Sequence, residues 1–146
     1  MPANKKLQKA SFGMGCFWQP EYDFSKLPGV VSTRVGYAGG HTDNPNYKDL
    51  ADHTETVEVT YDPNKVSYKE LLKNFWQHHN PTENQSSQYR SLIFVHDDEQ
   101  RQAAMETMSQ KQKELGRLTT EVLPAGDFHQ AEDYHQKYVA KQKGEA

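Results

Sequence analysis

Residues 55–61 read Glu-Thr-Val-Glu-Val-Thr-Tyr, and the strict alternation of polar and apolar side chains makes this stretch the clearest strand of the chain. Val57, Val59 and Tyr61 fall on one face, which we expect to be buried. Glu55 falls on the same face, where desolvation would raise its pKa and leave a carboxylic acid able to donate a proton near neutral pH. As the first residue of the strand, Glu55 can equally point into solvent, so the spacing leaves both interpretations open.

Further strands and helices surround this strand. The patterns predict strands at residues 8–13, 30–37, 89–95 and 119–123, helices at residues 20–27, 67–79 and 98–115, and a terminal helix or partly ordered tail at residues 130–141. Ser67-Tyr68-Lys69-Glu70 has the Ser-x-x-Glu form of a capping box, which predicts the start of the second helix. The order strand, helix, strand, strand, helix, strand is that of the ferredoxin-like split βαβ motif. We therefore predict an α+β fold, a two-layer α/β sandwich in which helices pack on a mixed sheet.

Length and composition predict one domain, residues 1–146, which we expect to be a monomer. A chain of 146 residues is near the commonest size of a compact domain, and no repeat interrupts it. The formal charge of −3 includes no basic stripe, so we expect neither nucleic acid nor a membrane surface as a partner. The first ten residues lack an apolar run, which argues against a signal peptide. The histidines also lack ligand spacing, because His78 and His79 are adjacent and His129 and His135 would lie on different faces of a helix, so we predict no metal site.

Cys16 is the only cysteine, which excludes an internal disulfide and fits a reducing compartment, by default the cytoplasm. A lone cysteine is usually a small buried hydrophobe. This one follows a glycine-broken strand and precedes a predicted helix, so we expect backbone N–H groups and the helix dipole to favour its thiolate. Phe17 and Trp18 can either fill the core or line an apolar pocket beside it. Tyr47 and Tyr89 lie at or beside two long polar loops, where their hydroxyls could donate to a substrate oxygen.

Residues 13–18, Gly-Met-Gly-Cys-Phe-Trp, resemble the Gly-Cys-Phe-Trp signature of the A-type peptide methionine sulfoxide reductases. Seven further segments occur in the order that this family shows: Gly36-Tyr37-Ala38-Gly39-Gly40, Asn44-Pro45-x-Tyr47, His53-x-Glu55, Asp62-Pro63, Asn80-Pro81-Thr82, Gln88-Tyr89-Arg90-Ser91 and Ala131-Glu132-x-Tyr134-His135-Gln136. The resemblance covers nearly the whole chain. It implies the two-layer sandwich and the thiol-dependent reduction of the S epimer of methionine sulfoxide, free or in proteins, without a cofactor.

The resemblance also implies a role for each candidate residue. Cys16 resembles the nucleophile, which attacks the sulfoxide sulfur and takes its oxygen as a sulfenic acid, and Glu55 resembles the acid. The other candidates look like substrate-binding residues: Phe17 and Trp18 for the methyl group, Tyr47 and Tyr89 for the oxygen. Hydroxyl donors and a proton source suit this reaction, because charge develops on the oxygen during attack.

The chain departs from the family pattern at several points. Gln19 follows Trp18 where the family usually has Gly, Asn84 stands where an Asp often precedes the Gln-Tyr-Arg-Ser segment, and the loop between Tyr47 and Glu55 is short. Many relatives discharge the sulfenic acid through a resolving cysteine, which this chain lacks. We therefore expect an external thiol to do so, either thioredoxin directly or glutathione with glutaredoxin.

Two other functions remain open from the sequence. A cysteine hydrolase or acyltransferase would pair Cys16 with a histidine, of which His53 is the nearest candidate, and would turn over without added thiol. A protein that only binds oxidised methionine would lose nothing when Cys16 is replaced by Ser.

Overall fold

The protein, described for residues 6–145 by a computed structural model, has a mixed six-stranded sheet with four helices. The elements follow in the order β1 (Gln8–Met14), α1 (Trp18–Ser25), β2 (Val30–Ala38), β3 (Thr54–Tyr61), α2 (Tyr68–Gln77), β4 (Ser91–Val95), α3 (Asp98–Leu115), β5 (Glu121–Pro124), β6 (Phe128–Gln130) and α4 (Tyr138–Gln142). Short 3-10 turns occur at Ser87–Tyr89 and Asp133–His135. In this part of the chain, no helix is long and apolar enough to cross a membrane.

The order of the strands brings the end of β1 next to the start of β3. Across the sheet the order is β5-β4-β1-β3-β2-β6. β1 runs antiparallel to both β3 and β4, and β4 runs parallel to β5. The β1–β3 register pairs Phe12 with Val57, so Met14 lies near Glu55. The turn after Met14 carries Cys16, and the antiparallel pairing therefore brings Cys16 close to Glu55, where β1 ends and β3 begins.

The face of the sheet that carries Val57 packs against the helices. Phe12 of β1 is fully buried and stacks on Phe24 of α1, with 5.1 Å between the ring centroids. Its ring also lies 5.4 Å from that of Phe75 of α2, and α3 adds Ala104 to the same core cluster. Full burial of each such phenylalanine contributes about 1.5–3 kcal/mol, so these contacts fix the helices on the sheet.

Most predicted elements lie within two residues of the observed ones. The α3 helix has the predicted bounds, and the Ser67 hydroxyl accepts the Glu70 N–H at 3.1 Å, which confirms the predicted capping box. The prediction of a terminal helix at residues 130–141 is wrong in its extent, because this segment holds the end of β6, a 3-10 turn and only a short helix. β6 was not predicted. It forms by pairing with β2, where Gln130 lies opposite Gly36, a long-range contact that local periodicity does not report.

Candidate active site

Cys16 lies in the turn between β1 and α1. Gly15, with φ at +92°, allows the chain to bend sharply there, since this region of φ is unfavourable for residues with a Cβ. The neighbours Met14 and Phe17 are buried, whereas the Cys16 side chain is exposed. The sulfur is therefore at the surface, although the residues around it at the end of β1 are buried.

Glu55 is the buried carboxyl beside this thiol, with 1% of the residue exposed. One carboxylate oxygen accepts the backbone N–H of Phe17 at 3.2 Å, and the other accepts the side-chain amide of Gln88. Burial raises the pKa of Glu55, although both hydrogen bonds act in the opposite direction. Of the two orientations that the sequence left open, the buried one is right. The carboxyl thus binds the residue that directly follows Cys16.

The pKa of Cys16 is raised as well. Desolvation on the inner side of the thiol is the main cause, and the charge of Glu55 adds to it, while a hydrogen bond from the backbone of Trp18 acts in the opposite direction. The prediction that this position favours the thiolate is therefore wrong. One backbone donor at the helix start is outweighed by burial and by a neighbouring negative charge.

Tyr89 and Tyr47 lie in one cluster with Cys16 and Glu55. The Tyr89 hydroxyl accepts the side-chain amide of Gln88 at 3.1 Å. Desolvation, the charge of Glu55 and a hydrogen bond with Tyr47 raise the pKa of Tyr89 to about 12, and the charge of Cys16 adds to this. The Tyr89 phenol therefore stays protonated and able to donate a hydrogen bond at neutral pH. Tyr47, on the loop between β2 and β3, is 38% exposed.

Phe17 and Trp18, the two residues that follow Cys16, differ in their burial. Phe17 is 2% exposed and belongs to the core cluster, with its ring 5.9 Å from that of Tyr37. Trp18 is only partly buried, and its indole stacks on the Tyr138 ring with 3.8 Å between the centroids. Phe17 is thus a residue of the core, and Trp18 is the more exposed of the two aromatic side chains.

The sequence interpretation missed three residues of this region. Gln88 bridges Glu55 and Tyr89, as described above. Glu132 accepts the backbone N–H of Tyr47 at 3.1 Å, and His135 accepts the indole N–H of Trp18 at 2.9 Å. His129 and His135 were predicted to share a helix, but His129 lies in β6 and His135 in a 3-10 turn, where it is 1% exposed. The segments that contain these residues carried the family resemblance, which is the pattern that could have found them.

His53 does not serve as a base for Cys16. Its Nδ1 atom accepts the backbone N–H of Gly40 at 3.2 Å, and its Nε2 atom lies 2.8 Å from the carbonyl oxygen of Thr42. A cavity of about 370 Å³ lies on this side of the loop, and its lining includes His53 but not Cys16. Within residues 6–145, no group of three or more His, Cys, Asp or Glu side chains could hold a metal ion.

Comparison with known proteins assigns the family. A family model described as peptide methionine sulfoxide reductase matches residues 8–146. Peptide methionine sulfoxide reductase MsrA of Methanothermobacter thermautotrophicus is 48% identical over 149 residues, which cover 93% of this chain and 88% of that protein. MsrA 1 of a Synechocystis species is 46% identical over 155 residues, which cover 96% of this chain and 70% of that protein.

Solved structures agree with this assignment. Methionine sulfoxide reductase A of Corynebacterium diphtheriae superposes with a TM-score of 0.88 at 38% identity, covering 94% of this chain and 76% of that one. Mxr1 of Saccharomyces cerevisiae in its reduced form gives a TM-score of 0.86 at 29% identity, covering 98% and 88%. The chain therefore belongs to the peptide methionine sulfoxide reductase family and is an oxidoreductase. This decides against the hydrolase and against a protein that only binds.

Proposed function

We propose that this chain reduces methionine (S)-sulfoxide, free or in proteins, to methionine with electrons from an external thiol. The observation that carries the proposal is the buried carboxyl of Glu55, which accepts the N–H of Phe17 immediately after Cys16. A protonated carboxyl in that position can deliver a proton to the sulfoxide oxygen while the Cys16 sulfur attacks the sulfoxide sulfur.

The oxygen transfer needs no other reactant. The Cys16 sulfur forms a bond to the sulfoxide sulfur, and the oxygen then moves from the sulfoxide sulfur to Cys16. The S–O bond of the substrate and the new sulfur–sulfur bond both break in this transfer, and methionine leaves as the thioether. Cys16 loses two electrons and becomes a sulfenic acid, while the substrate sulfur gains the same two electrons. The thiol proton ends on the transferred oxygen. The hydroxyls of Tyr47 and Tyr89 hold that oxygen as negative charge develops on it.

Glu55 and Cys16 act as a pair that shares one proton. Burial raises the pKa of both groups, and the charge of Glu55 raises that of Cys16 further. A negative charge on both groups at once is therefore unfavourable. Transfer of the thiol proton to Glu55 creates the nucleophile and the acid in one step and removes the repulsion between them. The raised thiol pKa is compatible with catalysis for this reason.

The two sides of the site favour one epimer. Phe17 and Trp18 offer an apolar wall, while Tyr47 and Tyr89 offer hydroxyl donors. A sulfoxide sulfur is chiral, so a site that fixes both the methyl group and the oxygen accepts one hand. The S epimer is the one that the family resemblance implies.

Incubation with racemic methionine sulfoxide and dithiothreitol tests this function. We expect the S epimer to be consumed and the R epimer to remain, and we expect the Cys16→Ser variant to produce no methionine. Consumption of the R epimer, or activity in that variant, would contradict the proposal.

We propose that thioredoxin, or glutathione with glutaredoxin, regenerates the thiol. Cys16 is exposed, and the chain has no second cysteine. One external thiol displaces water from the sulfenic acid and forms a mixed disulfide, and a second thiol then releases Cys16. Turnover should occur with at least one of the two reducing systems. If both fail while the protein still completes a single reduction, neither is the reductant.

We further propose that residues 1–146 form one domain, which acts as a monomer in the cytoplasm. The free thiol supports a reducing compartment. The order β4-β1-β3-β2, with antiparallel neighbours, supports a ferredoxin-like split βαβ core that β5 and β6 extend. Sedimentation at increasing protein concentration tests the monomer, because a dimer would sediment faster as concentration rises.

A further inference from the structure

Two residues of the C-terminal segment fix the indole of Trp18. Its N–H donates to Nδ1 of His135 at 2.9 Å, and its face stacks on Tyr138 with 3.8 Å between centroids and 10° between planes. The hydrogen bond limits rotation of the indole within its plane, and the stacking limits its tilt. Trp18 therefore has one orientation, although it is only partly buried.

The hydrogen bond is compatible with only one protonation form of His135. Nδ1 accepts the indole N–H, so in the neutral ring the proton must sit on Nε2. A proton on Nδ1 would bring two N–H groups face to face. The Nε2 atom is buried and has no hydrogen-bond partner among residues 6–145. A buried donor without a partner is rare and costly, so the fold keeps this tautomer at a cost to its stability.

The His135 ring also contacts the other walls of the site. Its centroid lies 5.2 Å from the ring of Phe17 and 4.7 Å from that of Tyr47. Tyr134, which is 57% exposed, lies 4.1 Å away on the solvent side. One imidazole thus touches the proposed methyl pocket and one of the proposed oxygen donors.

The segment that carries His135 is anchored independently of these rings. Glu21 of α1 is buried, and its carboxylate accepts the backbone N–H of Lys137 at 2.7 Å and the hydroxyl of Thr33 at 3.0 Å. The Lys137 ammonium lies 3.5 Å from the same carboxylate. These contacts hold the chain between His135 and Tyr138 against α1, so the imidazole is a fixed acceptor.

We propose that His135 is a positioning residue for Trp18: its Nε2-protonated tautomer holds the indole at the angle at which the pocket accepts a methyl group and rejects a larger alkyl group. The inference rests on the proposed function, because it assigns the selectivity of the same pocket. His135 itself acts through the indole and takes no part in the oxygen transfer.

A double-mutant cycle tests the proposal. His135→Phe keeps an aromatic ring and removes the acceptor, while His135→Asn removes the ring and offers an amide oxygen to the indole N–H. Trp18→Phe removes the donor. Each variant is assayed with dithiothreitol on methionine (S)-sulfoxide and on ethionine sulfoxide, which carries an ethyl group in place of the methyl group.

His135→Phe should raise KM for methionine sulfoxide about five- to tenfold, the effect of one lost neutral hydrogen bond, and change kcat by less than about twofold. Its preference for the methyl over the ethyl substrate should fall, and His135→Asn should restore most of that preference. In a Trp18→Phe background, His135→Phe should have no further effect. An equal loss in both backgrounds, or an unchanged methyl preference, would overturn the proposal.

Nitrogen NMR of the unmodified protein gives a readout that needs neither activity nor a stable variant. At neutral pH, His135 should have an unprotonated Nδ1 and a protonated Nε2, and the opposite tautomer would overturn the proposal. A failure of the proposed function would be distinct, since it would appear as absence of sulfoxide reduction by the wild-type protein. The tautomer would then still decide whether His135 positions Trp18.

Discussion

Replacing Glu55 by Gln should slow sulfoxide reduction and speed alkylation of Cys16. Gln keeps the size of the side chain and an oxygen that can accept the N–H of Phe17, but it cannot donate a proton as an acid. It also removes the charge that raises the pKa of Cys16. The two reactions of one thiol should therefore change in opposite directions.

The expected loss in reduction is large because the site is closed to water around this carboxyl. Glu55 is 1% exposed, so solvent cannot take over as the proton donor. Loss of a general acid usually costs 10²–10⁴-fold, and we expect the rate of a single turnover to fall at least about a hundredfold, or about 2.7 kcal/mol of activation free energy. Alkylation needs no acid, so it should become faster near neutral pH as the thiolate fraction rises.

Rapid-quench measurement of methionine and the rate of iodoacetamide labelling provide the two readouts. Glu58→Gln is the matched control, because Glu58 is a buried carboxyl on the other face of the same strand, bonded to Arg34 at 2.7 Å. The control should leave both rates near those of the wild-type protein. An unchanged reduction rate in Glu55→Gln, or a slowing of both reactions, would refute the proposed proton transfer.

Three further predictions concern the phenols, a partly buried histidine and a glycine. Tyr89→Phe should lower kcat/KM for methionine (S)-sulfoxide about a hundredfold and the more exposed Tyr47→Phe about tenfold, and wild-type values in both would remove the proposed oxygen site. Burial lowers the pKa of His79 in the folded protein, so the free energy of unfolding should fall as pH drops below the ordinary value of 6.5. Urea titrations at several pH values between about 5 and 8 give this free energy, and its change with pH should be smaller in His79→Gln than in the wild-type protein. The same change with pH in both proteins would contradict this prediction. Gly29→Ala should destabilise the fold by about 1–3 kcal/mol, because φ is +96° and an added Cβ would lie 2.8 Å from the side chain of Val66. Gly126→Ala is the control, since a Cβ added at Gly126 would have no atom within 4 Å. Equal stability of the two variants would contradict the predicted strain at Gly29.

The sequence was sufficient for much of the fold because the main elements are locally encoded. The alternation in β3 predicted the face with Val57 that packs on the helices, but not the burial of the opposite face, where Thr56 and Glu58 are also buried. The capping box at Ser67 predicted the start of α2. β6 and the breaks in the terminal segment escaped prediction, because they depend on pairing with a distant strand. Local periodicity contains no information about such a partner.

The site was predictable to the extent that its residues lie within motifs. Cys16 and Glu55 were found from a glycine-broken turn and an anomalous carboxyl on an apolar face. His135 was not, because its partner Trp18 lies 117 residues away along the chain. The pKa of Cys16 was predicted in the wrong direction for a related reason. The helix start is visible in the sequence, whereas the desolvation and the approach of Glu55 that outweigh it arise only in the folded chain.

A single turnover without added thiol shows whether Cys16 itself takes the oxygen from the substrate. Reduced protein is mixed with excess methionine (S)-sulfoxide in the absence of oxygen, and both the methionine formed and the mass of the Cys16 peptide are measured. We expect one methionine per chain and one added oxygen atom on Cys16. Methionine released while Cys16 keeps its original mass, or no methionine at all, would contradict it.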